Sequence, residues 1–242
     1  MTIIQSLWIG NKLSPLERLS ISSHLKQGHE FHLYTFGPIQ NVPKGTIVKS
    51  GEEILPANQI EHYAQDGGHK HCNWTAFSNC FRYKLLFERG GWWSDMDVIC
   101  LRPFTFTNEY VIASEIIGQH TSVATCCIKT PQRSELMLHC YNECRKHIGK
   151  SVAWGTLGPV LLRAATQLLS LQSYVVPHYV FCPLAYTEFD VLLRVSSNLD
   201  VRQSYAIHAY NEMWRRNNID KFGAFPATCL FKRLERSVIP LL

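Results

Sequence analysis

No run of this 242-residue chain is long and apolar enough to span a bilayer. Its N-terminus also lacks the order of a secretory signal, because residues 2–9 go directly into a strand pattern. There is no internal repeat, no low-complexity tract and no linker-like stretch. Charge is sparse as well: 18% charged residues against 46% hydrophobic ones excludes a disordered chain and leaves enough apolar matter for a sizeable core. The nine cysteines form no disulfide ladder, and an odd number cannot all pair internally. They read as free, partly buried thiols, with Cys126-Cys127 in an apolar strand. These absences point to a cytosolic protein of one ordinary domain spanning residues 1–242.

What charge there is leans basic, with 24 Lys plus Arg against 19 Asp plus Glu and a formal net charge of +5. Such a balance suits an anionic small ligand, and it is too modest and dispersed for nucleic acid, which is not expected as a partner. His69, His71, Cys72 and Cys80 are zinc-ligand types, but no second spaced cysteine pair closes a tetrahedral site around them. The basic, apolar C-terminal run 231–242 fits either peripheral contact with an anionic membrane or packing on its own domain.

Periodicity predicts alternating strands and helices. Strands are expected at 2–9, 31–36, 46–49, 92–99, 110–114, 123–129, 174–181 and 206–208. A helix is expected from Ser14-Pro15 to about Gln27, with Ser14 as N-cap, Pro15 in the first turn and Glu17 early. Further helical stretches are expected at 51–59, up to Gly90, and at 134–147, 157–171, 188–195 and 229–236, with a loop at 60–75 facing the site as a lid or as a plain connection. The pattern implies an α/β fold with an open, largely parallel sheet, whose ligands sit beyond the carboxyl ends of the strands.

Residues 78–102 carry the chemistry. An amphipathic helix with Phe81, Leu85, Leu86 and Phe87 on one side stops at Gly90-Gly91 and gives way to a strand through Trp92 and Trp93 that reaches Asp95 and Asp97. On a strand these two carboxylates share a face, with Met96 turned away. Two hard oxygen ligands at one point suit Mn²⁺ or Mg²⁺ and leave coordination positions for phosphate oxygens. A divalent ion on a diphosphate is a clamp for a leaving group. By itself an Asp-x-Asp pair is a weak pattern and more often a solvated turn.

The run Phe81-Arg82-Tyr83 to Gly90-Gly91-Trp92-Trp93-Ser94-Asp95-Met96-Asp97 resembles the sugar-binding region of glycosyltransferase family 32. So do Gln5-Ser6-Leu7-Trp8-Ile9-Gly10, Trp154-Gly155-Thr156-Leu157-Gly158-Pro159, Phe181-Cys182-Pro183-Leu184 and Tyr205-Ala206-Ile207-His208-Ala209-Tyr210-Asn211, in the family's order. The resemblance implies a GT-A type nucleotide-sugar-binding fold, with a nucleotide- and metal-binding core at about 1–130 and acceptor-side and closing elements at about 131–242. A bacterial or phage origin fits the expected lack of an anchor. It also implies roles. Trp8 would stack on the base. Arg82 would neutralise diphosphate charge. Asp95 would face the ribose or a metal-bound water, Asp97 would ligate Mn²⁺ or Mg²⁺, and His208 would stand on the metal or phosphate side. Asn211 and Trp214 would close over the diphosphate. Trp154, Gly158 and Pro159 would shape the acceptor side, where a helix N-terminus at 156–158 would offer N–H groups to an anion. The sequence departs from the family at Asn79, where an aspartate commonly bonds the donor sugar; an amide still donates and accepts but carries no charge.

These resemblances predict retaining transfer from a UDP-linked sugar to a hydroxyl acceptor. The favoured acceptor is a cell-surface glycan or a lipid-linked saccharide, and a protein acceptor is the runner-up. A pseudoenzyme that binds the nucleotide sugar without transferring it is the reading of a different class, supported by Asn79 alone.

Overall fold

A computed structural model of the protein describes residues 1–62, 64–65 and 72–238. The first unit is strand β1 (Ile3–Trp8) followed by helix α1 (Pro15–Lys26). The capping expected at its start is present: Ser14 Oγ accepts from the Leu16 N–H at 3.3 Å, and Glu17 Oε2 accepts from the Ser14 N–H at 2.7 Å. These bonds satisfy orphan donors of the first turn. Strands β2 (Glu30–Thr35) and β3 (Ile47–Ser50) follow, and 3₁₀ turns at Gly51–Glu53 and Ala57–His62 replace the regular helix expected there.

A two-residue strand β4 (Ala64–Gln65) precedes helix α2 (Cys72–Arg89). The expected loop 60–75 is thus shortened from both sides. His69 and His71 lie outside the described residues. Helix α2 buries Phe77, Phe81, Leu85 and Cys80 completely against the sheet. It stops where Gly90 and Gly91 adopt φ 63° and 82°, a left-handed pair that turns the chain into β5 (Gly91–Ser94). A Cβ on Gly90 would lie 2.5 Å from the backbone N of Gln132. Gly90→Ala is therefore expected to cost about 2–4 kcal/mol, read as a lower urea midpoint at unchanged slope.

Strands β6 (Val98–Cys100), β7 (Val111–Ile117) and β8 (His120–Thr130) continue the chain, and then come α3 (Glu135–Arg145), β9 (Ser151–Val152) and α4 (Leu161–Leu168). The last elements are β10 (Ala206–His208), α5 (Asn211–Arg216) and α6 (Leu230–Val238). The main sheet has the order β3-β2-β1-β5-β8-β7. β1 pairs in parallel with both β2 and β5, and the β7–β8 hairpin adds an antiparallel edge through β5. The fold is thus mixed α/β, with a mostly parallel central sheet flanked by helices. Strand order reverses at β1, which opens a crevice beyond the carboxyl ends of β1 and β5.

Further expectations are corrected, among them the helix expected at 188–195, which is a 3₁₀ segment at Tyr186–Leu192. The strand expected at 92–99 is broken: β5 ends at Ser94, and a turn closed by the Val98 N–H on Asp95 O (3.1 Å) carries Asp95, Met96 and Asp97. The strand expected at 174–181 is two 3₁₀ turns, Gln172–Tyr174 and His178–Val180, around Pro177, which cannot donate to a ladder. The helix expected at 157–171 begins as a π-helical turn, Thr156–Val160, with Gly158 at a non-helical φ −104°, ψ −114°. There the N–H groups of Thr156, Gly158 and Val160 already donate to Ala153 and Gly155 and are not free for an anion.

Cys80, Cys100, Cys126, Cys127, Cys140, Cys144, Cys182 and Cys229 are free and buried. No helix of the described residues is long and apolar enough to cross a membrane. Within the C-terminal run, Phe231 of α6 is fully buried in a cluster with Leu16, Leu19 and Trp214, so the described part packs on its own fold. Residues 239–242 lie outside the described residues.

Candidate active site

The crevice is a cavity of about 650 Å³. Trp8 from the end of β1, Trp93 from β5 and the Asp95–Asp97 turn line it, together with Arg82 of α2, His208 at the end of β10 and Asn211 at the start of α5.

Arg82 sits beneath the carboxylates because the α2 turns that bury Phe81 and Leu85 present the next position to the sheet end. Its side chain is 5% exposed. The guanidinium lies 4.7 Å over the Trp93 ring, donates through Nη1 to Asn79 Oδ1 at 3.0 Å, and through Nη2 to Asp95 Oδ1 at 2.7 Å. Trp93 Nε1 donates to the same Asp95 oxygen at 2.6 Å. Burial raises the Asp95 carboxyl to about 6, against the pull of Arg82 and with a further push from Asp97. Asn79 is therefore a partner of Arg82, and its amide also lies 3.1 Å from where a Cβ on Gly158 would stand.

Asp97 belongs to a second network. Its Oδ2 accepts from the Asn211 N–H at 2.7 Å and faces His208 Nε2 at 3.3 Å. Tyr210, in left-handed backbone at φ 52°, sets the kink from which α5 starts at Asn211. Burial alone would raise Asp97, but the His208 charge, its hydrogen bond and the Asn211 N–H hold it below the usual range. Burial alone would lower His208, yet Asp97 and then Cys126 hold it well above its ordinary value.

Asp95 Oδ2 and Asp97 Oδ1 take no hydrogen bond from the described residues. One ligand atom each from Asp95, Asp97 and His208 lie within 4.8 Å of one another. Two carboxylate oxygens suit a hard divalent ion such as Mn²⁺ or Mg²⁺, and the imidazole beside them joins the ligands only when its Nε2 gives up its proton.

On the far side, Lys221 lies 5.3 Å over the Trp8 ring and is ion-paired to the buried Glu17 of α1. Trp8 Nε1 and Arg82 Nε are buried without a partner among the described residues. Trp154, 56% exposed, forms the outer rim with Pro159, and Arg216 of α5 stacks over it at 5.1 Å.

The structure thus gathers Trp8, Asn79, Arg82, Asp95, Asp97, Trp154, Pro159, His208 and Asn211 around one cavity. Gly158 is buried behind it, against Asn79. Trp214 is elsewhere: fully buried between Phe225 and Phe231, it donates Nε1 to Ala209 O at 2.9 Å. It therefore closes over nothing in the cavity.

Sequence reasoning missed Lys221, Tyr210 and Glu115. For Glu115 the signal was a single acid inside the apolar β7 pattern. Burial raises its carboxyl from 4.5 to about 7. The folded chain then holds a proton on Glu115 that the unfolded chain releases. Stability relative to Glu115→Gln is expected to be greatest below pH 4.5 and to fall by about 1–3 kcal/mol as pH rises to about 7. Urea unfolding of both proteins across that window checks it; parallel pH profiles would rule it out.

The family described as "Glycosyltransferase sugar-binding region containing DXD motif" matches residues 46–123. No curated protein matches the chain significantly. Among solved structures, one described as PaToxG glycosyltransferase is similar at 16% identity, covering 71% of each chain, with a TM-score of 0.49. Another, described as a transferase mutant, is similar at 10% identity, covering 78% of this chain and 89% of the other, with a TM-score of 0.47.

Proposed function

We propose, from the match of residues 46–123 to a glycosyltransferase sugar-binding region with a DXD motif, that the chain is a metal-dependent, retaining glycosyltransferase. The donor is a nucleotide sugar, with UDP-sugars favoured, and the acceptor is a hydroxyl of a glycan or a lipid-linked saccharide. The carrying observation is the Asp95–Asp97–His208 cluster beside the buried Arg82 in a cavity large enough for a nucleotide sugar.

Mn²⁺ or Mg²⁺ bound to Asp97 and Asp95 would neutralise the diphosphate as the sugar–phosphate bond lengthens. Arg82 is fixed by Asn79 and Asp95, so its positive charge needs no rearrangement to act on the same developing charge. His208 adds a second positive group next to Asp97. Trp8 would stack on the base, and Lys221 above its ring is a positive group for the nucleotide. Trp154, Pro159 and Arg216 stand where an acceptor would approach. No residue is assigned as a covalent nucleophile; positioning and leaving-group stabilisation carry the rate.

The test is release of nucleotide from a panel of UDP- and GDP-sugars with Mn²⁺. Metal-dependent release from one donor supports the reading. Absence of any metal-dependent nucleotide binding would sink it, and binding without release under every acceptor would favour the pseudoenzyme. Trp8→Ala is expected to weaken UDP binding roughly 10- to 100-fold by calorimetry, the value of one base–aromatic stack.

A further inference from the structure

Behind the carboxylates lies a second cluster of ligand atoms that the transferase chemistry does not use. We propose that Cys126, Cys182 and the Nδ1 nitrogen of His208 form a binding site for a soft divalent ion of the zinc class.

The geometry is that of one face of a tetrahedron. Zinc–sulfur and zinc–nitrogen bonds of ordinary length place two sulfurs about 3.8 Å apart and a sulfur and nitrogen about 3.6 Å apart. Here Cys126 Sγ lies 3.5 Å from Cys182 Sγ, and Cys182 Sγ lies 4.0 Å from His208 Nδ1. The three ligand atoms all fall within 4.8 Å of one another.

The site is built and held. Cys126 is on β8, where its carbonyl accepts from the Asp95 N–H at 2.8 Å. Cys182 follows the His178–Val180 turn, with its N–H on His178 O at 2.7 Å. The His208 N–H is bonded to Phe181 O at 2.9 Å, which ties β10 to the Cys182 segment. Both cysteines are buried, yet Cys126 and His208 line the cavity, so an ion has a path in.

The other nitrogen of His208 completes the pattern. Zinc-bound histidines commonly donate their second ring N–H to a carboxylate, which fixes the tautomer. His208 Nε2 faces Asp97 Oδ2 at 3.3 Å in that way. The two sites therefore select different ions: thiolates favour zinc, and the carboxylates favour manganese or magnesium. They also share His208, so zinc on Nδ1 commits Nε2 to donating to Asp97 and leaves the hard ion with the two carboxylates alone.

Cobalt(II) titrated into the full chain in the absence of nucleotide tests the proposal, because thiolate–cobalt bonding has a characteristic charge-transfer absorption. One equivalent is expected to develop that band, and zinc is expected to displace it. Cys126→Ser and Cys182→Ser, each checked for folding by circular dichroism, are expected to lose it. Asp95→Asn is expected to keep it, and Asp97→Asn to keep it with 10- to 100-fold weaker affinity. Absence of the band in the native chain, its survival in the double cysteine variant, or its loss in Asp95→Asn would each overturn the assignment.

Discussion

Asp97→Ala is expected to lower Mn²⁺-dependent release of nucleotide by about a thousandfold or more, while the chain stays folded. Asp97 Oδ2 receives both the Asn211 N–H and the His208 ring, and Oδ1 remains for a metal. Alanine removes the metal ligand and, with it, the charge that holds His208 protonated. The loss therefore exceeds that of one hydrogen bond. Asp97→Asn keeps the side-chain volume and the bond from Asn211, which its amide oxygen still accepts, but offers no charge to a cation or to His208, so it is expected to lose activity without the packing loss of alanine. Initial rates with a saturating donor, together with Mn²⁺ binding followed by electron paramagnetic resonance, provide the measurement. Activity within tenfold of the native chain in both variants would remove Asp97 from the metal site.

Arg82→Ala is expected to destabilise the chain by about 3–5 kcal/mol. Three partners lose their complement at once. Asp95 Oδ1 keeps only the Trp93 N–H, Asn79 Oδ1 loses its donor, and the Trp93 ring loses the cation over its face. Burial already raises Asp95, so without Arg82 it takes up a proton at still higher pH. Arg82→Lys is not expected to restore the stability, because an ammonium cannot span Asn79 and Asp95 while stacking flat on an indole. Urea unfolding reads the loss directly. Mn²⁺ should raise the melting temperature of Arg82→Ala more than that of the native chain, since the ion replaces the missing positive charge. A loss below about 1 kcal/mol would mean that the pair is solvated and contributes as a surface bridge does.

The parts of the molecule legible in the sequence are those fixed by near neighbours. Ser14, Pro15 and Glu17 act within a single turn, and Gly90-Gly91 sets its own reversal, so α1 and the end of α2 could be read directly. The pairing of Asp95 with Asp97 was legible for the same reason, although its geometry was not. A strand pattern of Trp92, Trp93, Val98 and Ile99 hides a turn that depends on one backbone bond, Val98 N–H to Asp95 O. Trp214 lies close in sequence to Asn211, which suggested a shared role. Its burial is decided by Phe225 and Phe231, whose packing no local pattern announces. The apolar run 174–181 reads as a strand, but Pro177 within it has no N–H for a ladder and the backbone turns there. Glu115 stands out in the sequence only as an acid within an apolar strand, and the β7–β8 hairpin is what sets it against the cavity.

The pairing of β6 with β10 has a consequence for how the molecule comes into being. Asp97 and Asn211, bonded through side chain and backbone, are separated by 114 positions, and β10 joins β6 only after nearly all of the chain has been made. Contacts of such long range slow folding, because the intervening chain must be ordered before they reward it. During synthesis, the parallel strands and α2 can collapse first and hold Asp95 against Arg82. Asp97 then remains without its histidine until the final strand emerges from the ribosome. The cleft is thus completed late, and no nascent fragment ending before β10 contains all of it.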